Sequence, residues 1–116
     1  MPYERGDVVL VLFPDSNLRT AKRRPALVVQ ADDLDGGLSQ NIVAMITSNM
    51  SRAGHPSRVT LLLDSPAGRE TRILMNSVAM TDNLATIHEI EIDRTLGYLR
   101  DMTEINAALA HTLSLN

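Results

Sequence analysis

From the N-terminus to Met80 the chain consists of short apolar runs separated by polar residues, glycine and proline. Each run is rich in Val, Ile, Leu or Thr, which is typical of buried β-strands. Pro25 occupies the first position of its run, where a missing backbone N–H is tolerated. The predicted strands are Asp7–Phe13, Pro25–Gln30, Asn41–Ser48, Ser57–Leu63 and Thr71–Met80.

Turn signals separate these runs. The link between the second and third strands, ADDLDGGLSQ, contains Gly36 and Gly37, which can both adopt positive φ. The segment DSPAG separates the fourth and fifth runs, so we expect these two strands to form a pair around a turn.

The hydrophobic period changes near the C-terminus. Apolar residues recur at spacings of three and four in RDMTEINAALAHTLSL, which predicts a helix with one apolar face. Asp101 and Glu104 resemble a capping box at its start. Together the pattern predicts an α+β fold of about five strands, in which a curled antiparallel sheet or small barrel precedes the helix.

Composition limits the class of protein. The 116 residues are expected to form one domain, residues 1–116. No apolar run approaches the roughly 18 residues that span a bilayer, and the segment MPYERGD lacks the apolar region of a signal peptide. We therefore expect a soluble, cytoplasmic protein without membrane contact. The few aromatic residues also argue against an RNA reader built on stacked rings.

Charge is distributed unevenly along an acidic chain whose formal net charge is -3. Residues 17–72 carry a cationic excess, and residues 82–116 carry an acidic one. The cations Lys22, Arg23 and Arg24 lie together directly before Pro25. Because local fields and not whole-chain sums steer ligands, this pattern favours a small anion-binding site over a surface that coats long duplexes.

The sequence contains no signature of a metal or nucleotide cofactor. There is no cysteine, and His55, His88 and His111 lack the spacing of metal ligands. No Walker loop, nucleophile elbow or Rossmann fingerprint is found. We therefore expect neither a metal nor a cofactor. His55, in the loop RAGHP, could approach a phosphate, although a solvated loop histidine is the commoner case.

One combination of residues suggests chemistry. Arg24 lies before one predicted strand, and Thr47 and Ser48 lie at the end of another. If these strands are neighbours, a guanidinium and two hydroxyls meet, and such groups bind phosphate and stabilise charge that develops on phosphorus. These groups suit metal-free cleavage of RNA by its own 2′-hydroxyl. A charged loop beside a strand end explains the same residues equally well.

The order of the motifs resembles the MazF/PemK family of toxin endoribonucleases. The likeness spans nearly the whole chain, and its most specific parts are the Arg-Pro start of the second strand and the Thr-Ser end of the third. The matching segments are RGDVVLVLF-P, KRRPALVV, MITS, NSVAMTDNLATI and LGYL.

The resemblance implies an SH3-like barrel of the CcdB/PemK type and a homodimer. It also implies metal-independent, sequence-specific cleavage of single-stranded mRNA that leaves 2′,3′-cyclic phosphate and 5′-hydroxyl ends. A cognate antitoxin with an extended acidic segment would occupy the RNA groove. The basic stretch would then be an anion site that RNA uses and the antitoxin mimics.

The resemblance also assigns roles to individual residues. Arg24 matches the leading catalytic arginine, Thr47 matches the catalytic threonine with Ser48 beside it, and Asp82 matches the aspartate of an Asp-Gln loop. The expected catalytic residues are Arg24, Thr47 and Ser48. The expected RNA-binding residues are Arg19, Lys22, Arg23, His55, Asp82 and Asn83.

Several positions depart from the family pattern. The segment DSNLRTAK lacks the usual glutamate, Asn83 replaces a glutamine, Ala85 replaces an arginine, and Met80 stands where a basic residue is sometimes found. Two other functions therefore remain open on sequence alone. One is an inactive SH3-like binding module, and the other is a CcdB-like toxin that targets a protein such as DNA gyrase.

Overall fold

The computed structural model describes residues 3–14, 21–34 and 36–115. Within this part of the chain, no helix is both long enough and apolar enough to cross a membrane. The strands are β1 (Asp7–Pro14), β2 (Ala21–Val28), β3 (Gln40–Thr47), β4 (Arg58–Leu61), β5 (Ser77–His88) and β6 (Ile92–Tyr98). The helices are α1 (Pro66–Thr71) and α2 (Thr103–Leu113), with short 3₁₀ turns at Met50–Arg52 and Glu89–Glu91.

All described strands belong to one antiparallel sheet with the order β4-β5-β3-β2-β1-β6. The long strand β5 pairs with β3 along its length and with β4 along its first half. The sheet is curled and barrel-like, with β4 and β6 at its edges. The predicted α+β class, with a curled antiparallel sheet and a C-terminal helix, is confirmed.

Both faces of the sheet are apolar. Val8 and Leu27 pack on one face with Ile105 of α2, while Val9 and Val11 belong to a second cluster on the other face. Alternate residues of β1 therefore enter different clusters, and Val8, Val9 and Val11 are all 0% exposed. This explains why DVVLVLF is continuously apolar instead of alternating.

The connection between β4 and β5 contains a helix, where the sequence predicted a turn. Ser65 is the N-cap of α1, with its hydroxyl accepting from the Gly68 N–H at 3.0 Å, and Pro66 occupies the first turn. Serine followed by proline is a common helix start, so the pair Ser65-Pro66 favours a helix as well as a turn. The predicted strand Thr71–Met80 consequently begins only at Ser77.

The prediction of about five strands missed β6. Its sequence, IDRTLGY, places Asp93, Arg94 and Thr95 in exposed positions and buries Ile92. Such a polar strand gives little hydrophobic signal, and its pairing with the buried strand β1 determines its conformation.

The start of the C-terminal helix also differs from the prediction. Met102 is the N-cap of α2 and makes no side-chain capping bond. Asp101 lies one residue earlier and accepts a hydrogen bond from the Thr103 N–H at 3.0 Å. The side chain of Thr103, followed by this backbone bond, lowers the pKa of the exposed Asp101 carboxyl. The capping box of Asp101 and Glu104 was therefore wrong, although the helix itself is confirmed.

Candidate active site

The second and third strands bring the predicted catalytic residues together. Ala26 pairs with Met45, and Val28 pairs with Val43. Arg24 lies two residues beyond the last pair on β2, and Thr47 lies two residues beyond it on β3, so both are at the same end of the paired strands.

Pro25 explains why these strands separate beside Arg24. Gly6 N donates to Val28 O at 2.8 Å, so the backbone groups of Val28 point toward β1. The backbone N–H and C=O groups of successive residues in a strand point in opposite directions. Those of Leu27 and Pro25 therefore point toward β3. Because Pro25 has no N–H to donate, the β2–β3 ladder ends at Ala26. The two strand ends diverge there.

A cavity of about 440 Å³ opens between the diverging strand ends. Arg23, Arg24, Thr47 and Ser48 line one part of it. Arg24 lies in β2 and not before it, because that strand begins at Ala21. The remaining lining residues come from β1, β2, β3, β5, β6 and the segment between α1 and β5.

The hydroxyl of Thr47 is oriented by the backbone. Its Oγ1 accepts a hydrogen bond from the Asn49 N–H at 3.1 Å. A hydroxyl that accepts this bond still has its own hydrogen to donate. Thr47 is half-buried and Ser48 is exposed, so a ligand in the cavity can reach both.

Two further arginines line the same cavity. Arg72 follows α1, and Arg94 lies in β6. Sequence reasoning did not identify either as a site residue, because Arg72 was placed within a predicted strand and β6 was not predicted at all. Among the described residues that line the cavity, four are arginines and none is acidic.

The structure separates Asp82 from this cavity. The β3–β5 register shifts between Ala44 and Met45, and Asp82 lies in the resulting irregular stretch of β5. Arg58 Nη2 contacts Asp82 Oδ2 at 2.9 Å, and Arg58 Nε contacts Oδ1 at 3.4 Å. These hydrogen bonds and the guanidinium charge hold the pKa of Asp82 below its ordinary value.

His55 lies near Asp82. The charge of His55 also lowers the pKa of Asp82, but by less than the contacts with Arg58 do. The Nδ1 atom of His55 accepts from the Ser57 N–H at 3.0 Å, and its ring meets that of His111 edge-on at 6.1 Å between centroids. The exposed Asn83 follows Asp82 in β5.

The predicted site residues therefore fall into two groups. Arg23, Arg24, Thr47 and Ser48 share the cavity, while Asp82, Asn83 and His55 lie on another part of the surface. Lys22 is exposed on β2 and does not line the cavity. Arg19 lies outside the described residues. Within residues 3–14, 21–34 and 36–115, no three His, Asp or Glu side chains form a potential metal site.

The first group has the chemistry of an anion site. One guanidinium group can donate two parallel hydrogen bonds to two oxygens of a phosphate, and hydroxyl groups are additional, uncharged donors. No carboxylate is found among the described lining residues, so the cavity presents positive charge to an incoming anion. The cavity can therefore hold a phosphate and stabilise additional negative charge on it.

A family model matches residues 4–113. It describes a PemK-like, MazF-like toxin of a type II toxin-antitoxin system. The match includes every described strand and both helices.

Curated relatives support the same family. Endoribonuclease MazF2 of Mycobacterium bovis is 35% identical over 101 residues, which make up 86% of this chain and 79% of that protein. Endoribonuclease MazF6 of Mycobacterium tuberculosis has the same identity and coverage.

Solved structures show the same fold. One is an endoribonuclease in complex with its cognate antitoxin from a mycobacterial species, with a TM-score of 0.73 and 24% identity over 98% of this chain and 97% of that one. Another is the Mycobacterium tuberculosis toxin MazF-mt6, with a TM-score of 0.74 and 20% identity over 95% of this chain and 98% of that one.

Proposed function

Because the chain belongs to the PemK-like, MazF-like toxin family of type II toxin–antitoxin systems, we propose that it is an endoribonuclease. Its substrate is single-stranded RNA, with mRNA as the target, and it cleaves at particular sequences. The observation that carries this proposal is the cavity in which Arg24 lies beside Thr47 and Ser48. The curated relatives named endoribonucleases support the same activity.

The proposed reaction is an internal transesterification. The 2′-hydroxyl oxygen of one nucleotide attacks the adjacent phosphorus, and the bond from phosphorus to the 5′-oxygen breaks. The 2′-hydroxyl loses one proton and the departing 5′-oxygen gains one, so the step consumes no water molecule, and it is proposed to proceed without a metal ion. The products are a 2′,3′-cyclic phosphate and a 5′-hydroxyl.

Arg24 has the central role in this reaction. Its guanidinium binds the scissile phosphate, stabilises the charge that accumulates on its nonbridging oxygens, and donates a hydrogen bond to the departing 5′-oxygen. Thr47 and Ser48 donate to the nonbridging oxygens and fix their orientation. Catalysis rests on positioning and on electrostatic stabilisation by groups that are already in place.

Asp82 has a different role in this proposal. Its carboxyl is paired with Arg58 and has a lowered pKa, so it is ionised near neutral pH and has no proton to deliver. We assign Asp82, Asn83 and His55 to contacts with the RNA strand away from the reacting phosphate. Lys22, Arg23 and Arg19 contribute positive charge along the strand.

The same cavity accounts for inhibition by a partner. Carboxylates of an extended acidic segment would satisfy the arginines that otherwise bind phosphate. A cognate antitoxin with such a segment would therefore compete with RNA for this protein. We also propose that the toxin acts as a homodimer.

The test is to incubate the purified protein with a long single-stranded RNA in EDTA and to map the product ends. Discrete cuts with cyclic-phosphate and 5′-hydroxyl ends are expected. Absence of cleavage across varied RNAs would contradict the proposal. In that case tight binding without turnover would indicate a binding module, and growth arrest with intact mRNA would indicate a toxin that targets a protein.

A further inference from the structure

The cavity contains positive charge that the proposed reaction does not use. Arg23 and Arg24 lie on the β2 side, while Arg72 and Arg94 come from the segment after α1 and from β6. Within the described residues, the guanidinium groups of Arg72 and Arg94 form no hydrogen bond or ion pair. Both side chains are exposed to solvent, and two cations in one cavity raise the positive potential that attracts an anion.

The backbone of Arg72 is in an unusual conformation. Its φ of 60° and ψ of 27° are left-handed, at the position that ends α1. Glycine is the usual residue at such a helix end, because a Cβ atom is disfavoured in this region. The backbone geometry therefore does not require an arginine here. A non-glycine residue held in this conformation inside a cavity points to a role for its side chain.

Gly97 allows the end of α1 to approach β6. A Cβ atom added at Gly97 would lie 2.3 Å from the Glu70 carbonyl oxygen and 2.8 Å from Arg72 Cγ. The absent side chain thus makes room for both the helix end and the stem of Arg72. This contact holds Arg72 against β6, the strand that carries Arg94.

The size of the cavity exceeds what one phosphate needs. Its volume of about 440 Å³ lies within the range of pockets that hold whole small molecules. An RNA strand crossing this space brings further phosphates close to the one that reacts. Four arginines distributed on different sides of the cavity match more than one phosphate.

We propose that Arg72 and Arg94 form a second phosphate subsite in this cavity. They bind the phosphate next to the scissile one. This contact places the scissile phosphate against Arg24, Thr47 and Ser48. This inference rests on the proposed ribonuclease function. Arg72 and Arg94 act as binding residues, and they do not touch the bonds that change.

The test measures binding of a 2′-O-methyl oligonucleotide, which has no nucleophile and cannot be cut. Arg72→Gly removes the guanidinium and suits the left-handed backbone, so this variant should fold. We expect its affinity to fall about tenfold, as for the loss of one charge-assisted contact. The slope of log Kd against log salt should also fall by about 0.7, the value for one phosphate contact on a single strand.

Two further variants complete the test. Arg72→Lys keeps the charge and should restore most of the salt slope. Arg69→Ala removes a cation from the same helix but outside the cavity, and it should change the affinity less than about twofold. In cleavage assays with ordinary RNA, Arg72→Gly should raise KM by a larger factor than it lowers kcat.

The outcomes separate this inference from the function on which it rests. If Arg72→Gly binds the oligonucleotide with unchanged affinity and salt slope while the parent cleaves RNA, the subsite is wrong and the ribonuclease stands. If the variant loses affinity only for an acidic partner peptide, the arginines serve carboxylates and the inference is also overturned. If the parent neither binds nor cleaves RNA, the proposed function fails as well.

Discussion

Among the residues that the structure describes, the hydroxyl of Thr47 is held by a backbone N–H and by no other side chain. Asn49 N donates to its Oγ1 at 3.1 Å, so the group that would contact a phosphate is already oriented in the free protein. Pro25 acts similarly, because its missing N–H ends the β2–β3 ladder beside Arg24. Main-chain features thus orient the Thr47 hydroxyl and end the strand pairing beside Arg24.

Removal of the Thr47 hydroxyl should slow cleavage. Thr47→Val keeps the side-chain shape but loses one donor to the nonbridging oxygens, so we expect the rate to fall by about 10² to 10³. Single-turnover cleavage of a short RNA measures this rate. Thr60→Val, at an exposed position of β4, is the matched control and should cleave normally. A Thr47→Val variant that cleaves as fast as the control would exclude the assigned role.

The ion pair between Asp82 and Arg58 should make stability depend on pH. The lowered folded-state pKa means that the pair stabilises the protein above the unfolded value, near 3.9, and that this contribution disappears as pH falls through the folded value. Asp82→Asn should therefore lower the free energy of unfolding by up to about 1 kcal/mol at pH 7. As the pH falls from about 3.9 to about 2, the difference should shrink.

Urea unfolding at the two pH values measures this effect. Asp33→Asn removes a carboxylate from an exposed turn and serves as the control. An Asp82→Asn penalty that is equally large at about pH 2 would show that the side chain acts through packing and not through its charge.

At the level of elements, the sequence predicted best those strands whose two faces are both buried. The runs around Val9 and Val43 became strands within one residue of the predicted bounds. The strand around Val28 begins four residues earlier than predicted, at Ala21. β6 was missed because most of its side chains are exposed, and its pairing with β1 is a long-range contact. No local pattern reports such a contact.

The residues of the candidate site also divide into those that the sequence could predict and those that it could not. Arg24 and Thr47 could be predicted because both flank apolar runs and belong to recognisable motifs. Arg72 and Arg94 could not be predicted, because they depend on the α1 end and on β6. Asp82 was identified as a residue of interest, but its pairing with Arg58 depends on the β4–β5 register.

The contact between α1 and β6 can be tested at Gly97. Gly97→Ala places a methyl group against the Glu70 carbonyl and the stem of Arg72, so the helix end must shift. We expect a loss of about 1–3 kcal/mol in the free energy of unfolding, as for an overpacked site. KM for RNA should rise, because Arg72 moves with the helix end.

Urea unfolding with a matched alanine variant measures this effect. A Cβ atom at Gly36 would meet nothing within 4 Å, so Gly36→Ala is the control, with an expected change within about 0.5 kcal/mol. Equal stability of the two variants would mean that α1 does not rest closely on β6.

At the level of the whole molecule, an acidic chain presents a cationic cavity. The formal net charge of the chain is -3, yet four arginines line one cavity. None of the described residues that line this cavity is acidic. This contrast favours a small anionic strand over nonspecific coating of nucleic acid. It also suits competition between RNA and an acidic partner segment.

An acidic peptide should therefore inhibit cleavage competitively. Poly-L-glutamate is expected to raise the apparent KM for RNA and to leave kcat unchanged, and its effect should weaken as salt increases. Initial rates at several RNA concentrations measure this, with a neutral glycine-serine peptide of equal length as the control. A fall in kcat at constant KM would place the peptide outside the RNA site.

The central claim is that Arg24 stabilises the charge on the reacting phosphate. Its most direct test is the single-turnover rate of RNA cleavage by Arg24→Ala, beside Arg69→Ala as a variant that loses the same charge outside the cavity. Circular dichroism should show both variants folded. We predict that Arg24→Ala loses at least about 10²-fold in rate and that Arg69→Ala stays within about twofold of the parent. A folded Arg24→Ala variant that cleaves at the parent's rate would contradict the account.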